Sequence, residues 1–377
     1  MGNQEPDLSE EGPREARAVE VDCDYCGARV FWKPGPQALA CEHCGTLRKV
    51  ERLSGQILER SLNEGRRMLV QSSEEDLGIA TRAMGCENCG ARVLLVEREI
   101  STQCTFCGSG QVLPRESLRR AIQPESVIPL MLPREEVAKV FRAWLRGLWF
   151  RPSALKELKG FDALGIYVPA WTFDARAESD WTADAGYYYY VTETYTVTVN
   201  GKSQMRTRQV RKIRWRPAAG RRKDTYDDLQ VMASKGIDRG LALELGAFET
   251  SELVPYQPQY LIGWEAEEYA IDLNDGWGLA QNRMLEQQVQ RCSGDVPGDT
   301  QRNLQVQTDL SQVRWKHVLL PVWSLTYRYG GETYAVLVNG QSGQVAGKAP
   351  YSWVKVSGAV LLALVAAVVV MIIANGS

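Results

Sequence analysis

Histidine is nearly missing from this chain: there are two in 377 residues. His43 lies inside a turn whose two cysteines already suffice as ligands, and His317 lies in a strand-like run, so histidine-based catalysis has little to stand on. Excess charge is missing too. The 44 Lys and Arg against 46 Asp and Glu leave a formal net charge of −2, which names no partner for the chain as a whole. The N-terminus has no apolar run, so no secretory signal peptide is expected. Gly201-Lys202-Ser203 looks like the end of a phosphate-binding loop, but that loop needs glycine where Thr196 stands, and no nucleotide site is expected. Asp227, Asp228, Glu265, Glu267 and Glu268 are scattered acids without a catalytic constellation, and the chain reads as a non-enzyme. Unpaired cysteine is scarce as well: of nine cysteines, only Cys292 falls outside a regular pattern, and it reads as a plain buried or half-buried thiol in a helix.

The other eight form an internal repeat. Cys23-Asp-Tyr-Cys26-Gly27 is followed after fourteen residues by Cys41-Glu-His-Cys44-Gly45, and Cys86-Glu-Asn-Cys89-Gly90 after fourteen by Cys104-Thr-Phe-Cys107-Gly108. Gly27-Ala28-Arg29-Val30 recurs as Gly90-Ala91-Arg92-Val93. Two cysteines two residues apart put both sulfurs on one ion from a single tight turn, and a second such turn closes a tetrahedral site of four thiolates. Glycine after each second cysteine suits a turn that needs positive φ. Four protein ligands leave no open position, so two structural zinc ions are expected. Disulfides, a redox CxxC pair and rubredoxin-like iron are the alternatives. Thiolate–metal sites fit a reducing compartment, the cytosol. A ribbon of about thirty residues is too small for a core of its own, so metal supplies most of its folding free energy.

The rest of the chain divides by pattern into an α+β protein. Residues 1–20 read as a disordered tail, 21–50 as the first ribbon, 51–83 as a helical linker, and 84–113 as the second ribbon. In the linker, Ile57, Leu58, Ser61, Leu62, Met68 and Leu69 repeat at helical spacing, and Ser73 to Asp76 resembles the acidic first turn of a further helix. Residues 114–350 read as a large α+β domain. It has an amphipathic helix over 134–150, carrying Val137, Phe141, Trp144, Leu145 and Leu148 on one face, and a second helix over 278–291. The order of helix, Pro-x-Trp, strands and Asn-Gly occurs twice, at Pro169 and Trp171 and again at Pro321 and Trp323, which points to an internal duplication.

One hairpin is strongly basic. Residues 202–223 contain ten Lys or Arg and no acid. Strands over 187–199 and 202–215 joined by Asn200-Gly201 would place Arg206 opposite Tyr195, Arg208 opposite Glu193, Lys212 opposite Tyr189, and Arg214 opposite Tyr187. Arg206, Arg208, Lys212, Arg214 and Arg216 then share one face. Such a face is either a binding site for anionic lipid or nucleic acid, or a solvated, self-paired surface.

Residues 356–374 contain no charge and span ~28 Å as a helix, the thickness of a bilayer's hydrocarbon. Lys348 and Lys355 precede them, so the positive-inside bias places the folded mass in the cytosol and the chain in the cytoplasmic membrane as a single-pass, tail-anchored protein. Ala359, Ala363 and Ala367 recur every fourth residue, a stripe that suits homo-oligomeric helix packing.

At this point the chain resembles a bacterial family, the tail-anchored double zinc-ribbon membrane proteins. The resemblance is carried by the eight cysteines and by the runs from Tyr167 to Asp174, Lys316 to Trp323 and Val338 to Val345, and covers residues 20–377. Members carry the label TFIIB-type zinc finger, or that of a primosomal helicase, although no helicase motor motif is visible here. Similar proteins accompany phage-shock and SPFH genes. The resemblance implies zinc ligation by the eight cysteines and a role in assembling proteins at a stressed membrane, and it implies no catalytic residue. The expected function is a non-enzymatic membrane adaptor that recruits cytosolic proteins. The alternative is a membrane-tethered nucleic-acid binder using the ribbons and the basic hairpin.

Overall fold

A computed structural model describes residues 22–51, 57–71, 81–96, 103–115, 122–158, 160–199 and 202–375. The expected tail over 1–20, the acidic turn at Ser73 to Asp76 and the Asn200-Gly201 turn lie outside them. The first ribbon is a three-stranded sheet of β1 (Val30–Lys33), β2 (Ala38–Cys41) and β3 (Leu47–Arg48). After it come β4 (Arg60–Ser61), α1 (Leu62–Gln71), and the second ribbon, made of β5 (Thr81–Cys86), β6 (Arg92–Val96) and β7 (Val112–Arg115). The large domain follows with β8 (Ser126–Val127), α2 (Arg134–Gly147), β9 (Asp162–Val199), β10 (Lys202–Met232), α3 (Arg239–Glu244), β11 (Val254–Pro255), β12 (Glu265–Glu267), α4 (Leu273–Asp295), β13 (Thr300–Tyr329), β14 (Glu332–Asn339) and β15 (Val345–Gly347). The chain closes on α5 (Trp353–Asn375).

The sheet is built around β9 and β13, strands of 38 and 30 residues that run antiparallel. Pro169 pairs with Leu319 and Tyr167 with Pro321, so the two Pro-x-Trp motifs flank the Val168–Leu320 pair symmetrically. The neighbours repeat that symmetry. β12 runs parallel to β9 at Ile166 and Tyr167, and β8 runs parallel to β13 at Val318 and Leu319. Each short strand leads into a helix, then a long strand, then a hairpin return. The suspected duplication is therefore present as a short strand, helix and hairpin used twice about a local twofold axis. The equivalents differ where packing differs: His317 sits opposite Trp171, whereas Gly165 sits opposite Trp323 because the Trp264 ring fills the place of its side chain.

The hairpin strands are longer than the sequence pattern indicates, β9 starting at Asp162 and not at 187, and β10 ending at Met232 and not at 215, because the central sheet extends their pairing; three helix boundaries differ as well. The first amphipathic helix stops at Gly147, and Val137, Phe141 and Leu145 are its buried face. The second begins five residues early, at Leu273, where the Asp272 carboxylate accepts from the N–H groups of Asn274 and Asp275. Gly276, a poor helix former, is required there because the Trp171 ring lies 2.6 Å from where a Cβ would stand. The helical spacing from Ile57 becomes a helix only at Leu62, since Arg60 and Ser61 are drawn into the sheet opposite Trp315 and Arg314.

That connection is held by buried ions. Lys316, with its side chain 8% exposed, lies 2.7 Å from Asp228 and 3.2 Å from Glu59. Arg60 donates to Glu125, which also accepts from the His317 backbone N–H. Burial pushes the nearby Asp174 carboxyl up to about 6, and it accepts from the Asp228 N–H at the bulge in β10. Buried charges are tolerated only when paired in this way. His317 is fully buried against the rings of Trp171 and Tyr269, and burial pushes it down to about 4, so it is neutral.

Candidate metal centres

All four CxxC turns have one backbone pattern. The N–H of Gly27, Gly45, Gly90 and Gly108 donates to the carbonyl of Cys23, Cys41, Cys86 and Cys104, at 2.8 to 3.0 Å. The N–H of each of those cysteines donates in turn to the carbonyl five residues on: Ala28, Thr46, Ala91 and Ser109. The four glycines have φ of +68°, +74°, +78° and +68°, a region costly to any residue with a Cβ. Two residues between the cysteines are what this turn needs to bring both sulfurs to one side.

Each pair of turns converges. Cys23, Cys26, Cys41 and Cys44 have their sulfurs within 4.8 Å of one another, as do Cys86, Cys89, Cys104 and Cys107. The closest sulfurs are Cys23 and Cys44 at 3.4 Å, Cys26 and Cys41 at 3.5 Å, Cys89 and Cys104 at 3.6 Å, and Cys86 and Cys107 at 3.7 Å. A disulfide requires about 2.05 Å. Tetrahedral zinc with thiolates at about 2.3 Å implies sulfur–sulfur separations of about 3.8 Å. The donor sets thus fit a four-coordinate metal, and each group can hold one ion. Peptide N–H groups of Phe106 and Cys107 donate to the Cys104 sulfur and favour its thiolate; at Cys86 burial pushes the thiol up, and the N–H groups of Cys89 and Asn88 offset this only in part. The Cys104 thiol is held near 5, first by its hydrogen bond with Cys89, and Thr46 brings Cys44 down to about 6.

The ribbons merge with the large domain. In the first, Cys23, Val30, Trp32, Leu39 and Cys41 belong to the same core as Val127, Leu130 and Phe141. Its edge is tied down where the Trp32 N–H donates to the Ile262 carbonyl and the Trp264 indole donates to the Trp32 carbonyl, both at 2.9 Å. The second ribbon extends the main sheet, with β6 paired to β12 through Leu94 and Ala266. Phe106 and Ala91 close over Gly236, and the Thr105 hydroxyl donates to Glu265.

Beneath the second ribbon is an acid absent from the sequence-level site. Glu267 is buried, accepts from the Ser234 hydroxyl at 2.8 Å, and is pushed up to about 8 by burial, with the Cys104 thiolate adding to the shift. Its folded form keeps a proton that the unfolded chain releases near the ordinary glutamate value. The unfolded state therefore loses the proton first as pH rises, and stability falls from about pH 5 to about pH 8. Glu267→Gln is expected to raise the melting temperature at the alkaline end of that window and to flatten its pH dependence, as thermal denaturation at a series of pH values will read.

The basic hairpin has the register expected: Arg206 pairs with Tyr195, Arg208 with Glu193, Lys212 with Tyr189 and Arg214 with Tyr187. The ring contacts run diagonally instead. Arg208 lies over Tyr195 at 5.4 Å, Arg214 over Tyr189 at 5.2 Å and Arg216 over Tyr187 at 5.7 Å, because long side chains reach the next residue on the same face. Glu193 takes both Arg208 and Lys212. Arg206, Arg214 and Arg216 have no acidic partner among the described residues. Nearer the body the cations are neutralised, Arg221 by Asp180, Arg222 by Asp224 and Asp295, and Lys223 by Glu178. The third strand ends where Thr300 meets Gly186. Beyond it the hairpin continues two-stranded for thirteen residues a side, an arm ~40 Å long.

Fold and site together define the class: an α+β protein with two N-terminal four-cysteine ribbons and a C-terminal helix long and apolar enough to cross a membrane. No protein-family model matches the chain. It is similar to YdjG, an uncharacterized protein of Bacillus subtilis (strain 168), at 24% identity over 250 residues that span 66% of this chain and 70% of YdjG. No solved structure matches it. The likeness to double-ribbon membrane proteins is one of organisation, carried by the two cysteine clusters and the apolar helix.

Proposed function

We propose that this protein is a non-enzymatic zinc-binding adaptor, anchored in the bacterial cytoplasmic membrane by α5 with its folded domain in the cytosol, where it recruits other proteins. Zinc is the metal proposed because a closed site of four thiolates in a ribbon is the usual structural zinc arrangement; rubredoxin-like iron takes the same donor set, and elemental analysis separates the two. The observation that carries the adaptor reading is the arm. A two-stranded ribbon is marginal on its own, yet this one extends past the sheet and contributes little to the core. It also exposes Tyr187, Tyr189, Tyr190 and Tyr195 among arginines. Tyrosine and arginine dominate the anchoring residues of protein interfaces.

The same chemistry favours one other reading, a membrane-tethered nucleic-acid binder, since bases stack on tyrosine and arginine faces and phosphates follow free cations. Affinity capture from detergent-solubilised membranes, with and without nuclease, decides between them. Nuclease-resistant co-purification of a defined protein, lost when the arm is shortened, supports the adaptor. Loss of all capture on nuclease treatment supports the nucleic-acid reading. In parallel, reversing Arg206, Arg208 and Arg214 to Glu is expected to abolish any low-salt binding of the purified protein to single-stranded DNA or anionic vesicles, and binding by the unaltered protein weakens with salt.

A further inference from the structure

We propose that residues 148–152, the loop after α2, enter the lipid headgroup layer beside the start of α5, so that the domain is seated on the bilayer at two points and not tethered at one. The inference rests on the reading of α5 as a membrane span. Trp149 is 83% exposed and Phe150 49%, large apolar rings left outside the core, while the preceding Leu148 packs against it. Their segment lies next to a second pair of exposed rings, Tyr351 at 61%, just before α5, and Trp353 at 75%, its first residue.

The two segments are fastened to one another. The Ser352 N–H donates to the Phe150 carbonyl at 2.8 Å, and the Lys355 ammonium donates to the Arg151 carbonyl at 2.8 Å. The Arg151 guanidinium lies over the Tyr351 ring at 3.5 Å. Beyond Lys355 the helix carries no charged side chain, and from Ser357 to Ile373 it is exposed. A loop hydrogen-bonded to Ser352 and Lys355 therefore lies at the depth where hydrocarbon begins. Tryptophan and tyrosine prefer this depth, with an apolar body in the acyl boundary and a polar edge in the headgroups. Arg146, Arg151 and Lys156 lie in or beside the loop in the chain, with Glu157 as the neighbouring acid, a cationic balance that suits anionic phospholipid. Continuity with the helix selects a lipid surface over a protein partner as the occupant.

The test places a photo-crosslinking phenylalanine derivative singly at three positions of the full chain, reconstituted in nanodiscs of phosphatidylethanolamine and phosphatidylglycerol. Position 149 reports the loop, position 364 the helix, and position 279, exposed on α4, the background. Lipid adducts at 149 and 364, each at least ~10-fold above 279, are the expected result for an interfacial aromatic site. Adducts at 364 with 149 no higher than 279 overturn the inference and leave the anchor intact. Crosslinks from 149 to a second protein copy also overturn it, in favour of a protein interface. Absence of adducts at 364 overturns the anchor and this inference together.

Discussion

Serine at Cys86 and Cys89 is expected to remove one of two bound metal ions, zinc on the proposed reading, and to lower the melting temperature of the whole folded domain by ~10 °C. Elemental analysis reads the first effect and thermal denaturation the second. The metal loss follows from the spacing, since a site left with Cys104 and Cys107 has one knuckle and two ligands. The loss of stability follows from placement. Taken as a separate ribbon, the second site could be emptied without consequence for the rest of the chain. In the structure β6 is hydrogen-bonded to β12, which in turn pairs with the central β9. The Ser324 hydroxyl on β13 donates to the Thr105 carbonyl between the second pair of cysteines, and Gly108 lies against Thr333 on β14. Structural zinc contributes about 10–16 kcal/mol to isolated fingers. Passing about 3–5 kcal/mol of that to the domain moves its midpoint by roughly 6–20 °C at about 2–4 °C per kcal/mol. Two zinc ions per chain in the unaltered protein are required; a metal-free protein with an unchanged midpoint would falsify the assignment.

Arginine at Val365 and Val368 is expected to move the protein from the carbonate-resistant membrane pellet, where the proposed anchor would hold it, to the soluble fraction. These residues lie in the middle of α5, the helix that is long and apolar enough to cross a membrane, and its described side chains from Val360 to Ile373 are exposed. An exposed apolar surface of that extent has no place in water. Each arginine at the centre of a span costs about 2.5–3.5 kcal/mol of insertion free energy, and two together exceed what snorkelling near a helix end recovers. Arginine at Lys348 and Lys355 is the matched control: it keeps the flanking charge and leaves fractionation unchanged. Retention of the double variant in the pellet would assign membrane attachment to some other part of the molecule.

Features whose physics is local can be read before any fold is known. A CxxC-Gly turn is closed by hydrogen bonds spanning five residues, so the eight ligands, their pairing into two sites and the need for Gly27, Gly45, Gly90 and Gly108 were legible without a fold. The apolar run of α5 depends only on composition, and the register of the basic arm only on a hairpin counted out from its turn. Tertiary structure decided what depends on distant partners. β9 reaches back to Asp162 and β13 to Thr300 because each supplies the other's hydrogen bonds, so no local signal marks where they begin. Gly276 belongs inside α4 because the Trp171 ring, more than a hundred residues earlier, occupies the space a side chain would need. Arg60 and Ser61 leave their helical pattern because they pair with Trp315 and Arg314, and the Arg60–Glu125 and Lys316–Glu59 ion pairs beside them exist only once the sheet is assembled. The ribbons share their cores with the large domain for the same reason: small metal-bound units leave apolar residues such as Trp32 and Phe106 uncovered, and only the assembled domain offers a surface on which to bury them.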